Sequence, residues 1–240
     1  MYLPIQKNRP TFAVKQNHQM IKTVIFDMDG VIVDTEPVHH HAYTLHFEEL
    51  NIEVDDKMYN SFIGSSTKNI YKYIKEYFQL PHSVEELISR KRKLFNTAFE
   101  EASHLKLIDG VLDLIKDLHQ NQIQLIVASS SAHLTINTIF KRFDLDQYFS
   151  HKVSGEDFPQ SKPNPAIFNK AVELSGHQKY ECIIIEDSAN GIKAANAAEV
   201  FVIGYKGESL NQDYSLANKV ISHFNEISFE KIQKINPVKI

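Results

Sequence analysis

The chain has 240 residues, of which 42% are apolar and 23% charged, with a formal net charge of −4 and one cysteine. This composition supports a packed core in one large domain or two smaller ones, at about 150 residues per domain, and the slight acidic balance gives no electrostatic case for a nucleic-acid partner. The lone Cys182, inside "ECIIIED", excludes an internal disulfide and reads as a buried thiol in a reducing, cytoplasmic setting, and no run is long enough to span a membrane.

Residues 1–19 are polar and without period, and are read as an N-terminal extension outside the fold, disordered or preceding a later natural start at Met20. The first predicted strand, "TVIFD" (23–27), runs into Met28, Asp29 and Gly30 and then into Val31, Ile32 and Val33. An Asp-Gly pair between apolar runs is the signal of a β-hairpin turn. Asp27 and Asp29 also form a pair of close carboxylates, which ordinarily needs a cation or a shared proton. A calcium loop is excluded, because Gly30 falls at position four and Val38 at position twelve.

Residues 38–105 read as helices only. They comprise "PVHHHAYTLHFEEL" with Pro37 at the first helical position and Asp34 or Thr35 as its cap, a short helix near 55–62, "TKNIYKYIKEYFQL", and a long helix opened by the capping-box pair Ser83 and Glu86. Strands follow at "IQLIVAS" (123–129), "ECIIIED" (181–187), "VFVIGY" (200–205) and, more weakly, "KVIS" (219–222). Between them Val111, Leu114, Ile115 and Leu118, then Ile136, Ile139, Phe140 and Phe143, keep helical spacing. Continuous Ile/Val runs without polar alternation are the mark of strands buried on both faces. The expected fold is therefore α/β: a doubly wound, Rossmann-like parallel-sheet core (20–37 and 106–240) with an inserted all-helical cap domain (38–105).

In an open parallel sheet the ligand crevice lies beyond the carboxyl ends of the strands. Asp27 and Asp29, then Ser129, Ser130 and Ser131, then Lys162 of "SKPNP", then Glu186 and Asp187 all fall at or near such ends. Each has a plain structural reading as turn, helix cap or surface charge; their coincidence points to phosphoryl transfer. One aspartate can attack phosphorus, and a second carboxyl can trade a proton with the leaving alkoxide and with water. Hard oxygen ligands favour Mg²⁺, and a lysine and a hydroxyl can hold the charged phosphoryl group.

The stretches "FDMDGVIVDTEP", "VASSS", "SKPNP" and "IIIEDSANGIKAA" resemble, in order, the four motifs of the haloacid-dehalogenase-like superfamily, in its β-phosphoglucomutase-like and phosphatase branch with a helical cap. The resemblance covers nearly everything after Met20. It implies Asp27 as nucleophile and Mg²⁺ ligand, Asp29 as general acid/base and backbone ligand of the ion, Ser129 and Lys162 as holders of the phosphoryl group, and Glu186 and Asp187 as further metal ligands. Asp34, Thr35 and His39 match positions shared in the branch, with Thr35, His39, Gly64, Ser65 and Ser130 lining the substrate pocket. His39, His40 and His41 are not expected to bind zinc, because adjacent helical residues diverge. In the cap loop "FIGSSTKN", Ile63 and Thr67 stand where the mutases carry Lys and Arg, with Lys68, Lys91 or Lys93 as conceivable substitutes. Ala166 replaces an acidic residue common after "KPNP" in the family, which bears on how Lys162 is supported.

The implied activity is a Mg-dependent phosphatase for a small-molecule phosphate ester, a sugar or polyol phosphate, with a sugar-phosphate mutase as alternative and a non-catalytic metabolite sensor as the reading of another class. A monomer without nucleic-acid or membrane partners is expected, with cap motion about 35–37 and 105–109.

Overall fold

The computed structural model describes residues 20–62, 65–103, 105–207 and 212–237. The expectations for the N-terminal extension, and for Ile63 and Gly64, lie outside the described residues. Six strands, β1 (Thr23–Phe26), β2 (Gln124–Ser129), β3 (His151–Ser154), β4 (Cys182–Glu186), β5 (Phe201–Tyr205) and β6 (Lys219–Ile221), form one sheet in the order β3-β2-β1-β4-β5-β6. Every pairing is parallel, with Phe26 opposite Val127 on one side and Ile185 on the other.

Successive residues of a strand point to opposite faces, and here both faces are covered. Val24, Phe26, Leu125, Val127, Ile183 and Ile185 belong to one buried cluster, and Ile25, Ile126, Ala128, Cys182 and Ile184 to the other. This is why the runs read as unbroken Ile/Val. Cys182 is a free, buried thiol, as its neighbours suggest. The sequence reading missed β3: "HKVS" buries only Val153 and Ser154 and sits at the sheet edge, so it lacks the apolar run of a central strand.

Between β1 and β2 the chain forms α1 (Glu36–Glu49), α2 (Asp56–Asn60), α3 (Thr67–Phe78) and α4 (Val84–Glu101), and no strand is found there among the described residues. The helices have a core of their own, with Tyr43, Phe47, Phe62, Ile70, Tyr71, Ile74 and Leu87. α1 and α4 also extend Val38, Ala42, Phe95 and Phe99 into the sheet's first cluster, so the insertion is seated on the core by apolar packing. The capping box of α4 forms as read: Ser83 Oγ accepts from Glu86 N, and Glu86 accepts from Ser83 N at 2.8 Å. α1 starts one residue earlier than read, so Pro37 is its second residue, and Thr35, although at the cap position, makes no side-chain cap bond.

The remaining helices are α5 (Val111–Gln120), α6 (His133–Arg142), α7 (Ala166–Ser175), α8 (Ala189–Ala197) and α9 (Phe229–Ile232). None among the described residues is long and apolar enough to cross a membrane. Ile25, fully buried at the centre of the sheet, is a sensitive reporter of this architecture. Ile25→Ala is expected to cost about 2–5 kcal/mol of stability, measured by urea unfolding, through lost burial and the cavity left behind.

Candidate active site

The end of β1 answers the hairpin question. Asp27 N still donates to Ile185 O at 2.9 Å, so Asp27 is held in the ladder beside β4. The chain then turns tightly: Met28 O accepts from the N–H groups of Val31, Ile32 and Val33, and Gly30 N reaches Val33 O. No hairpin forms; Val33 bridges instead to Asp29 and to Leu107. Gly30 has φ +84°, and a Cβ there would stand 2.2 Å from Asp187 Oδ2. The glycine therefore serves both the backbone conformation and the close approach of a carboxylate from β4.

Asp27, Glu186 and Asp187 each offer an oxygen within 4.8 Å of the others, and all three are buried. Lys162, 3% exposed, lies among them. Its ammonium bonds Asp27 Oδ1, Glu186 Oε1 at 2.8 Å and the carbonyl of Ala128 at 3.3 Å, and it lies over the Phe168 ring. Glu186 is fixed from behind, since Ser188 gives it both its N–H (2.6 Å) and its hydroxyl (3.0 Å). Ser188 Oγ in turn accepts from Gly191 N and caps α8. A Cβ on Gly191 would stand 1.7 Å from Glu186 Oε1, so the carboxylate occupies the space a side chain would fill.

One ammonium faces three carboxylates, and the imbalance shows in the proton affinities of Asp27 and Asp187. Burial, with the Glu186 and Asp29 charges, pushes the Asp27 carboxyl up against the pull of Lys162. Asp187 is pushed well up by burial and then by Glu186 and Asp27. Burial alone would lower Lys162, yet Asp27 and Glu186 hold it above its ordinary value. Three hard oxygen donors crowded in this way, with the ionisation of Asp27 and Asp187 opposed, fit a small divalent cation, which would relieve the repulsion. The family-uncommon Ala166 does not loosen Lys162: Asn164 Oδ1 takes the Ala166 N–H at 3.0 Å, and the lysine is held by the carboxylates themselves.

Asp29 stands apart from this cluster in its partners. It accepts from the hydroxyls of Thr35, Ser129 (3.1 Å) and Ser131 (2.8 Å). That explains why Thr35 does not cap α1. Burial opposes ionisation of Asp29, but His39 and these hydroxyls hold it below the usual carboxylate range. His39 Nε2 approaches Asp29 Oδ1 to 3.7 Å, too far for a hydrogen bond. Its Nδ1 lies 2.7 Å from the Lys91 ammonium. With the lysine charged and donating, the neutral ring carries its proton on Nε2, facing Asp29. His39 is kept neutral by burial and by Lys91. Of the three histidines only His39 turns inward, while His40 and His41 are exposed.

A cavity of about 500 Å³ joins Asp27, Asp29, Lys162, Glu186 and Asp187 to Ser130, Ser131 and, from the helical insertion, His39, Ser65 and Thr67. Thr35 is buried beneath it, and Gly64 is outside the described residues. Glu36 and Gln212 escaped the sequence reading, and Ser131, read only as lying at a strand end, was given no role. Glu36, raised to about 7 by burial, accepts from Tyr59 at 2.8 Å. Ser131 bonds Asp29, and Gln212 stands next to α8. Lys91, which no periodicity could place, is 2% exposed, packed over Tyr43 and Phe95, and lowered to about 7 by burial. Arg92 to Glu156 and Asn69 to Ser161 (2.7 Å) tie the insertion to the core at the mouth of an adjoining cavity.

The haloacid dehalogenase-like hydrolase model matches residues 24–205, and the chain belongs to that family. It is 28% identical over 196 residues to a phosphorylated carbohydrates phosphatase of Thermotoga maritima, covering 82% of this chain and 90% of that protein. It is 29% identical over 191 residues to a pyrophosphatase of Halalkalibacterium halodurans, covering 77% and 84%. The β-phosphoglucomutase of Clostridium difficile superposes with a TM-score of 0.79 at 27% identity, covering 90% and 96%. The chain is thus an α/β-core enzyme of the β-phosphoglucomutase-like branch, as its four motifs imply.

Two outcomes follow from this geometry. Gly191→Ala must push the Glu186 carboxylate out of its seat, and is expected to lower stability by about 1–3 kcal/mol in urea unfolding. Lys91 binds a proton less readily folded than unfolded, so between about 7 and its ordinary value of 10.5 stability rises with pH. Lys91→Met is expected to raise stability, most below pH 7, with the gain gone above pH 10.5; urea titrations across pH check this.

Proposed function

We propose that the protein is a Mg²⁺-dependent phosphatase of small phosphomonoesters, sugar or polyol phosphates, acting through an aspartyl-phosphate on Asp27. The observation that carries this is the division of the carboxylates. Asp27 shares a buried cluster with Lys162, Glu186 and Asp187, while Asp29, two residues on, is held separately by hydroxyls.

Asp27, fixed in the sheet ladder, attacks phosphorus with an orientation the backbone has already set. Lys162 would hold the phosphoryl oxygens, joined by the Ser129 hydroxyl once it turns away from Asp29. Asp27, Glu186, Asp187 and the Asp29 backbone carbonyl would hold Mg²⁺, which when bound supplies positive charge to the phosphoryl group and to the nucleophile. An incoming phosphoryl group brings negative charge beside Asp29 and raises its proton affinity. Asp29, having taken up a proton from solvent as substrate binds, then gives it to the leaving alkoxide and takes one back from the water that cleaves the aspartyl-phosphate, which releases phosphate and restores Asp27. Thr35 and Ser131 keep its carboxylate aimed, and Lys91 holds the His39 ring beside it from the cap. Glu36, Ser65, Thr67 and Ser130 line the space left for the alcohol. The cap encloses that space and limits water.

The phosphatase names of the two relatives and Thr67 in the cavity, where the mutases carry an arginine, support hydrolysis over mutation. The likeness to a β-phosphoglucomutase favours the mutase as second reading, with water replaced by a second sugar hydroxyl. The buried free Cys182 supports a reducing, cytoplasmic setting.

The test is a product assay with Mg²⁺ and a panel of sugar and polyol phosphates, following free phosphate and isomerised ester together. Phosphate release lost by at least about a thousandfold in Asp27→Asn, with substrate binding retained, is expected. Isomerisation with little phosphate would instead assign a mutase, and binding unaffected by Asp27→Asn without any turnover would assign a sensor.

A further inference from the structure

The cavity that holds the carboxylate cluster has a further charged group to which the chemistry of phosphoryl transfer gives no task. Glu36, the first residue of α1, lines it together with Asp27 and Asp29, and so do Tyr43, Tyr59 and Phe62. The Tyr59 hydroxyl donates to Glu36 Oε1 at 2.8 Å. Tyr59 is itself fixed by aromatic neighbours, its ring meeting those of His40, Tyr43 and Phe62 at centroid separations of 4.6, 6.1 and 6.4 Å. One oxygen of Glu36 is thus committed to a rigid donor. The other has no hydrogen-bond partner among the described residues. Burial raises the carboxyl to about 7 even with Tyr59 in place, so that single bond does not offset its removal from water. A carboxylate oxygen left open on a binding cavity calls for a donor from the ligand.

The place of Glu36 in the chain says which donor that is. Thr35, the residue before it, gives its hydroxyl to Asp29. The leaving oxygen of the ester must lie against Asp29 for a proton to pass between them. The rest of the alcohol then has the remainder of the cavity, with Glu36, Tyr59, Ser65 and Thr67 in its lining. Among the described lining residues Lys162 is the only lysine or arginine, and it is committed to Asp27 and Glu186. A second anionic group on the alcohol would find no free cation among them and one more carboxylate; a hydroxyl would find an acceptor.

We propose that Glu36, held by Tyr59, is the specificity-determining residue for the alcohol half of the ester, its carboxylate accepting a hydrogen bond from a hydroxyl of an uncharged sugar or polyol. A site built to bond a substrate hydroxyl discriminates steeply against an analogue that lacks it, because the site's own polar group is then left unsatisfied. Tyr59 is a positioning residue here: it acts on the alcohol through Glu36. The inference rests on the reading of the protein as a phosphatase of small phosphomonoesters.

The test is steady-state phosphate release with Mg²⁺ from two esters of equal chain length, sorbitol phosphate and hexyl phosphate, the second lacking every free hydroxyl. It is run at about pH 8, above the value of about 7 to which burial raises the carboxyl. The wild type, Glu36→Ala, Tyr59→Phe and Asp27→Asn are compared, with urea unfolding of each. The wild type is expected to favour sorbitol phosphate by at least about tenfold in kcat/KM. Glu36→Ala is expected to erase that preference through KM rather than kcat, and Tyr59→Phe to lose part of it. A role confined to seating Tyr59 would instead lower both esters and the unfolding midpoint together, leaving their ratio as it was. A preference that survives Glu36→Ala, or a wild type without one, would overturn the proposal and leave the phosphatase reading standing. Release that survives Asp27→Asn would overturn the reading on which the proposal rests, and no release from either ester would overturn both.

Discussion

Three carboxylates cannot share a buried space without positive charge, and in this protein the fold itself supplies only one such charge, on Lys162. Its ammonium bonds Asp27 from β1 and Glu186 from β4, the strands on either side of the point where the sheet order reverses. Removing two or more ions from water is costly unless pairing and hydrogen bonding offset it. The offsets are visible: Ser188 bonds Glu186 twice, Ala128 accepts from the lysine, and Gly30 and Gly191 make room for the carboxylates. The cluster remains one or two positive charges short, a deficit that a divalent cation would fill.

The same constraint explains why Asp29 is treated differently from Asp27. A fourth carboxylate on the lysine would deepen the imbalance. Instead, Asp29 is turned onto neutral hydroxyl donors, which stabilise its ionised form without adding charge. Two aspartates two residues apart thereby reach opposite proton affinities, which is what the proposed division into nucleophile and proton carrier requires. The cap takes part in this division. Lys91 is buried over two aromatic rings and reaches Asp29 only through His39. A cap residue is thus linked to Asp29 across the interface between the helical insertion and the core.

Much of this was legible in the chain, because the core strands are buried on both faces and their apolar runs end where the polar groups begin. Asp27, Ser129 and Glu186 could be placed at strand ends from that boundary alone. Edge strand β3 could not, since "HKVS" buries only half its residues. Thr35 was legible as a helix start, but its choice of Asp29 over the α1 backbone depends on a three-dimensional competition. Lys91, Glu36 and Gln212 carry no local signal: a lysine inside an amphipathic helix reads as solvent-facing until the packing of α4 against α1 is known. Resemblance to the family supplied roles for the motif residues; the geometry adds the Ser131 bond to Asp29 and the seat of His39 between Asp29 and Lys91.

The claim on which everything else turns is that Asp27, and not Asp29, becomes phosphorylated. The most direct measurement is a rapid acid quench of the enzyme turning over a sugar phosphate, followed by borohydride trapping and peptide mass spectrometry. The account predicts a reduced, formerly phosphorylated aspartate at position 27 and an unmodified one at 29. Trapping at Asp29, or phosphate release with no acyl-phosphate at either residue, would contradict it.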